Sequence, residues 1–267
     1  MSDSSIVAQL TGVCVSRSGR ALYSNLSMSF PKGKITAILG PSGCGKTTLL
    51  KVLGGSVPYD RGDVVVNGVQ VGKCGREALY ELRKQMGILY QQGALFTHLN
   101  VFDNVAFPLR EHTDLSENMI RVLVLAKLEA VGLRGAHQLS IQRLSGGMAR
   151  RVALARALIL DPSLMMYDEP FTGQDPITRG VLSHLIAKLN QALSLSSILV
   201  THNVSETKKI ADYVYVLAHG EVIGQGTVEE VFANTDPRVQ QFLSGAPDGP
   251  VAFRYPSETM ASDLGVL

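Results

Sequence analysis

The run Gly40-Pro41-Ser42-Gly43-Cys44-Gly45-Lys46-Thr47 concentrates residue types that handle phosphate. Glycines at this spacing let backbone N–H groups turn inward around the α- and β-phosphates of a nucleotide. The run follows an apolar strand, Ile35 to Leu39, and opens an apolar helix, Lys46 to Leu53. The helix brings its positive N-terminal end to the same spot. Lys46 has the reach for the β- and γ-phosphates, the Thr47 hydroxyl suits magnesium, and Thr48 follows in the same turn. A second apolar strand, Leu164 to Tyr167, ends in Asp168-Glu169. Acids at a strand's carboxyl end stand where ligands bind in parallel sheets. Asp168 there would hold magnesium through water, and Glu169 would take a proton from an attacking water. Leu144 to Arg151, LSGGMARR, sets Ser145, Gly146 and Gly147 at a helix start, which makes a second anion site from bare N–H groups.

These residues need a scaffold, and the pattern along the chain supplies an α/β one. Ile6 to Val15 and Ala21 to Phe30 are apolar-rich runs, and Val64-Val65-Val66 leads into the hairpin signal Asn67-Gly68. From Val101 to about Leu160 the pattern turns helical. Ser116 caps one helix of this stretch, and a second runs from near Gly146 to Leu160. Strand and helix then alternate. Asp175-Pro176 opens a helix that places Ile177, Val181, Leu182, Leu185, Ile186, Leu189 and Leu193 on one face. Strands follow at Ser197 to Val200, Tyr213 to Leu217 and Glu221 to Ile223. Such alternation predicts a mostly parallel sheet with helices on both faces.

The 267 residues carry 25 basic and 23 acidic side chains, a net charge of +2, which gives no electrostatic case for a general nucleic-acid binder. With 45% apolar residues the chain can bury an ordinary core, so disorder is excluded. No stretch reads as a bilayer span, and MSDSSIVAQL lacks the basic region of a secretory signal. Cys14, Cys44 and Cys74 form no CxxC pair, as expected in a reducing compartment.

In this order the motifs resemble those of the ATP-binding cassette ATPases, over about residues 6 to 235. The resemblance implies a P-loop NTPase with a RecA-like parallel-sheet core, an N-terminal antiparallel β subdomain and a helical insertion. It implies an ATPase domain at residues 6–244, with the helical subdomain at about 100–160, and a tail at residues 245–267. It makes LSGGM the signature motif, which in the family meets the γ-phosphate on a second subunit. Position by position, Gln91 matches the sensor of magnesium and lytic water, and Asp175 matches the aspartate of the loop after the acids. His202 matches the switch histidine at the γ-phosphate. The implied cofactors are ATP and Mg2+. Met148 stands where the family usually has Gln. The slot for an adenine-stacking aromatic falls on Arg17, whose plane can stack on a purine; a solvated turn arginine is the other reading.

The stretch QGALFTHLNVFDNVAFPLREHT, the signature and the end segment DPRVQQFLSGAPDGPVAFRYP closely resemble the Mla-type phospholipid-transport ATPases of Gram-negative bacteria. That resemblance implies a homodimer at the cytoplasmic face of the inner membrane. It also implies a polytopic permease, an MCE-domain lipid-binding protein and a STAS-domain protein as partners. In the family the permease docks just after Gln91, where Ala94, Leu95 and Phe96 form an apolar patch. A nutrient-import ATPase and a DNA-associated regulatory ATPase are the alternatives, and the near-neutral charge argues against the second. The tail concentrates its apolar content in Val251, Phe253 and Tyr255, which predicts docking of Pro250 to Pro256 on a partner.

Overall fold

A computed structural model describes residues 5–17 and 19–250; the apolar tail segment from Val251 onward lies outside the described residues. In chain order the elements are β1 (Ile6–Arg17), β2 (Arg20–Pro31), β3 (Ile35–Leu39), α1 (Lys46–Leu53), β4 (Arg61–Val66), β5 (Val69–Gln70), α2 (Arg76–Lys84) and β6 (Met86–Leu89). Three helices follow, α3 (Val101–His112), α4 (Glu117–Ala130) and α5 (Gly146–Ala157). The chain then continues through β7 (Leu164–Asp168), α6 (Pro176–Leu193), β8 (Ser196–Thr201), α7 (Val204–Ile210), β9 (Tyr213–Ala218), β10 (Glu221–Thr227), α8 (Val228–Phe232) and α9 (Pro237–Ser244).

The strands form an antiparallel sheet, β2-β1-β4-β5, and a mixed sheet, β10-β9-β3-β8-β7-β6, whose strands are parallel except for β10 against β9. Strands β3, β7 and β8 are buried along their whole length, as strands covered on both faces must be. Their side chains alternate between two cores. Ala37, Leu39, Met165, Tyr167 and Leu199 face the layer of α3 to α6, and Ile38, Leu164, Met166, Ile198 and Val200 face α1 and the antiparallel sheet. The mixed sheet is thus the wall that the two layers share.

Register decides the position of the chemistry. Leu39 of β3 pairs with Thr201 of β8, and Asp168 of β7 pairs with Val200. The residues that leave these strands, Gly40, Glu169 and His202, therefore emerge side by side at one carboxyl edge. Leu89 of β6 pairs with Tyr167, so Gln91 arrives at the same edge two residues later.

The helical insertion is held by its own polar core. Asn104 is fully buried; its side chain accepts from Phe96 N–H at 2.8 Å and donates to the Phe96 and Asn100 carbonyls, each at 3.0 Å. This amide supplies partners for a loop that has no ladder of its own.

Three details depart from the sequence expectation. Helix α5 ends at Ala157 rather than Leu160, because Asp161 (φ 49°) precedes Pro162, which disfavours helix in the residue before it. Leu182, Ile186 and Leu189 of α6 are buried, but Ile177 and Val181 are 80% and 50% exposed. At 3.6 residues per turn these two lie about 100–140° around the helix from Leu182, so the expected single face merges two. Strand β10 continues beyond Ile223 through Gly224, where a Cβ would sit 2.9 Å from a Val239 methyl. Glycine hides that continuation from a propensity reading.

Replacing Asn104 by Ala leaves the Phe96 N–H without a partner, while the Phe96 and Asn100 carbonyls keep the backbone N–H groups of Leu99 and Asn104. The expected loss is about 1–3 kcal/mol, seen as a lower urea midpoint at unchanged m.

Candidate nucleotide site

The loop between β3 and α1 is shaped by contacts that exclude side chains. A Cβ on Gly40 would collide with the Leu217 carbonyl and meet Cys44 Sγ at 2.8 Å. Gly45 sits at φ 104° against the Tyr23 ring, and the Tyr23 hydroxyl donates to the Gly45 carbonyl at 2.5 Å. That fixes the residue from which α1 starts, and α1 carries no acid in its first turn. Cys44 turns its sulfur toward the core, where burial pushes its thiol pKa up.

Around the loop lies a cleft of about 490 Å³. Its walls are Ser42, Gly43, Gly45, Lys46, Thr47 and Thr48 from the loop, Gln91 after β6, Glu169 and Thr172 after β7, and His202 after β8. Arg17 and Leu22 close the side toward the antiparallel sheet. Gly40 and Pro41 contribute carbonyls that accept from Lys46 Nζ at 2.7 and 3.0 Å.

The charged centre is compact. Lys46 Nζ lies 3.5 Å from Glu169 Oε1, with these side chains 6% and 13% exposed. The other Glu169 oxygen is 3.0 Å from His202 Nδ1 and accepts from Thr201 Oγ1 at 3.2 Å, Thr172 Oγ1 at 3.3 Å and the His202 N–H at 3.3 Å. Glu169 holds a left-handed backbone, φ 48°, which costs a non-glycine residue about 1–3 kcal/mol. The Glu169 N–H donates to the Val200 carbonyl at 2.9 Å, which ties this backbone to the neighbouring strand. Asp168 accepts from the Thr47 hydroxyl at 2.8 Å. Burial raises the Asp168 pKa, and the Glu169 charge adds to the rise against the Thr47 hydrogen bond. The paired hydroxyl and carboxylate are the hard oxygen donors that magnesium prefers.

The remaining predicted residues lie elsewhere. Ser145, Gly146 and Gly147 cap and open α5, and Asp175 caps α6; none of them lines this cleft. Ser145 Oγ accepts from Met148 N–H at 3.2 Å. Asp175 accepts from the N–H groups of Ile177 and Thr178 at 2.9 and 3.0 Å, and the Thr178 hydroxyl is the main reason its pKa is lowered. The sequence reading missed Tyr23, Thr172 and Thr201, each a lone hydroxyl; Tyr23 and Thr201 act on partners 22 and 32 residues away, and Thr172 on Glu169 across a turn. Thr201, adjacent to His202, was the one within reach of motif reading.

A strand–loop–helix phosphate cradle, two acids at the end of the parallel strand β7 and a histidine facing the second of them define a P-loop nucleotide hydrolase. Residues 23–172 match the ABC transporter family, and the chain belongs to that family. It is an ABC-type ATPase and binds nucleotide. It is 56% identical to the intermembrane phospholipid transport system ATP-binding protein MlaF of Haemophilus influenzae, over 93% of this chain and 94% of that one. Against MlaF of Escherichia coli K12 the identity is 51%, over 97% and 96%. A probable ribonucleotide transport ATP-binding protein of Mycobacterium leprae is 36% identical, over 98% of this chain and 76% of that one. Among solved structures, cbiO1 of Clostridium perfringens, part of the ABC transporter complex cbiONQ, superposes with a TM-score of 0.80 at 28% identity, covering 86% of this chain and 92% of that one. The cassette MJ0796, dimeric and bound to ADP and Pi, gives 0.75 at 26% identity, covering 83% and 98%.

Arg17 stands on the cleft wall, so base stacking can be tested directly. Stacking gives a loss of about 0.5–1 kcal/mol in ATP binding for Arg17→Ala and recovery for Arg17→Tyr, read by ATP titration.

Proposed function

We propose that this chain is the ATP-hydrolysing subunit of a complex that moves phospholipid between the inner and outer membranes. The lipid assignment is supported by the relatives named MlaF, at 56% and 51% identity over nearly their whole lengths. The mycobacterial relative, with a different named cargo, is only 36% identical. Among the described residues no helix is long and apolar enough to cross a membrane. In this reading separate permease chains cross the bilayer, the ATPase sits on the cytoplasmic face of the inner membrane, and MCE-domain and STAS-domain chains complete the assembly. The tail after Gly245 docks on a neighbouring subunit.

The chemistry rests on the position of Glu169. Its carboxylate is held by two hydroxyls, an N–H and His202, over the loop that would seat the γ-phosphate. Glu169 takes the proton of the attacking water as that water's oxygen bonds to the γ-phosphorus and the bond from that phosphorus to the bridging oxygen breaks, giving phosphate and ADP. Lys46 would spread its charge over the β- and γ-phosphates, and His202, beside Glu169, would contact the γ-phosphate. Thr47 and Gln91 would hold magnesium, with Asp168 holding it through water, and the ion would neutralise charge on the phosphate oxygens. Ser145, Gly146, Gly147 and Asp175 act on the nucleotide of a second copy arranged head to tail. Their distance from this chain's own cleft supports that reading, as does the dimeric form of a related cassette.

Glu169→Gln keeps ATP affinity but lowers turnover about a hundredfold to ten-thousandfold, because an amide cannot take the proton. Lys46→Ala instead weakens nucleotide binding itself. Phosphate release and ATP titration on both variants separate the roles, and turnover near the parent level in Glu169→Gln would sink the assignment. Affinity purification from membranes, with identification of accompanying chains and bound lipid, tests the transport reading. Recovery with a solute-binding protein and no phospholipid would replace it with nutrient import.

A further inference from the structure

Arg150 lies on α5, five residues after Ser145, so about 7.5 Å along the helix from the signature serine. Its guanidinium reaches out of the helical layer into the cleft's back wall. Nη2 donates to the Gln91 carbonyl at 2.7 Å and to the Thr172 carbonyl at 2.7 Å, and Nη1 donates to the Pro170 carbonyl. One planar group thus holds the main chain of two loops: the loop with the proposed magnesium and water sensor, and the loop that immediately follows Glu169. Arg156, further along α5, holds only the first loop. It donates to the Gly93 and Ala94 carbonyls at 2.8 and 2.9 Å and lies 5.6 Å from the centre of the Phe96 ring.

We infer that Arg150 is a positioning residue that makes the Gln91 loop and the Glu169–Thr172 loop move as one body with the signature helix. The inference rests on the roles assigned above to Glu169 and Gln91. A guanidinium is a rigid fork, so three carbonyl acceptors at its edge keep fixed mutual positions. Glu169 holds a left-handed backbone, and its carboxylate oxygen that meets Thr201 and His202 also accepts from the Thr172 hydroxyl, within the segment that Arg150 clasps. A shift of α5 therefore carries to the general base of the same chain. The displacement that presents Ser145 to a partner's nucleotide also sets this chain's own Glu169 and Gln91. Lysine keeps the charge but offers a single ammonium without the fork, so it cannot hold the two loops in one geometry.

The test compares Arg150→Lys with Arg156→Lys in the complex purified from membranes, with Glu169→Gln run in parallel. For Arg150→Lys, ATP affinity stays within about twofold, the melting temperature within a few degrees, and kcat falls about tenfold or more. Arg156→Lys, which leaves the Glu169 loop clasped, loses less than about threefold in kcat. Unchanged kcat in Arg150→Lys, equal losses in the two lysine variants, or a loss of ATP affinity that matches the loss of kcat would each overturn the inference. Should Arg150→Lys fail to fold, hydrogen exchange on the unaltered protein decides. The amides of Gln92 to Ala94 and Phe171 to Gly173 open together if one clamp holds both, and protection differing by more than about tenfold overturns it. Normal turnover in Glu169→Gln refutes the underlying assignment. Lost turnover there with unaffected Arg150→Lys refutes the clamp alone.

Discussion

An ammonium and two carboxylates withdrawn from water within a few ångströms of one another impose the constraint from which the rest of the site follows. Lys46, Asp168 and Glu169 are each largely buried, and desolvation of such groups is costly unless each finds partners. Lys46 has Gly40, Pro41 and Glu169; Asp168 has Thr47; Glu169 has Thr201, Thr172 and His202. No single loop could supply all of these. They converge because β3, β7 and β8 are parallel neighbours that end in register.

The two layers on the shared sheet have different tasks. The face of α1 and the antiparallel sheet fixes the phosphate loop, through Tyr23 on Gly45 and through the packed residues of α1. The opposite face carries α3 to α6, and it reaches the cleft through carbonyl contacts of Arg150 and Arg156 rather than through a packed interface with the loop. Hydrogen bonds to main-chain carbonyls hold a loop's path while leaving its side chains free for ligand. This arrangement suits a layer whose position must be transmitted to the chemistry without taking part in it.

Legibility in the sequence followed range. The phosphate loop, the two acids and the strands that carry them were readable because each is a local pattern with a local physical cause. His202 was readable only through the order of motifs, since a histidine at a strand end has many ordinary explanations. Tyr23 and Arg150 were not readable, because their roles depend on pairings across 22 and up to 59 residues, with no period to announce them; Thr201 pairs across 32 residues, and only its place beside His202 pointed to it. Thr172, close in sequence to Glu169, was hidden for another reason: the turn that brings its hydroxyl back to Glu169 opens with a positive φ at a non-glycine residue, which no local pattern announces. Helices α7 to α9 are too short to show a face, and the apparent single face of α6 joined a buried stripe to an exposed one.

The helix termini add an electrostatic argument for two copies. A helix start is partly positive, and most helices here neutralise it themselves. Helices α2, α3, α4, α7 and α8 carry an acid in the first turn, and α6 and α9 are capped by Asp175 and Asp236. Among the described α-helices, α1 and α5 have neither; their caps are Gly45 and Ser145. For α1 the missing negative charge is what the phosphates at its own loop would supply. For α5 no acidic group of its own first turn does so, and Ser145 and Gly146 are exposed while the cleft of the same chain lies elsewhere. An exposed, uncompensated helix start is expensive to keep for stability alone, since one Asp or Glu in the first turn would add about 0.3–1 kcal/mol. The same substitution would repel a phosphate brought up from another molecule. The absence of that acid on α5, on a chain that supplies it or an Asp cap on every other described α-helix but α1, is consistent with the proposed arrangement in which a second copy brings its nucleotide to this helix start.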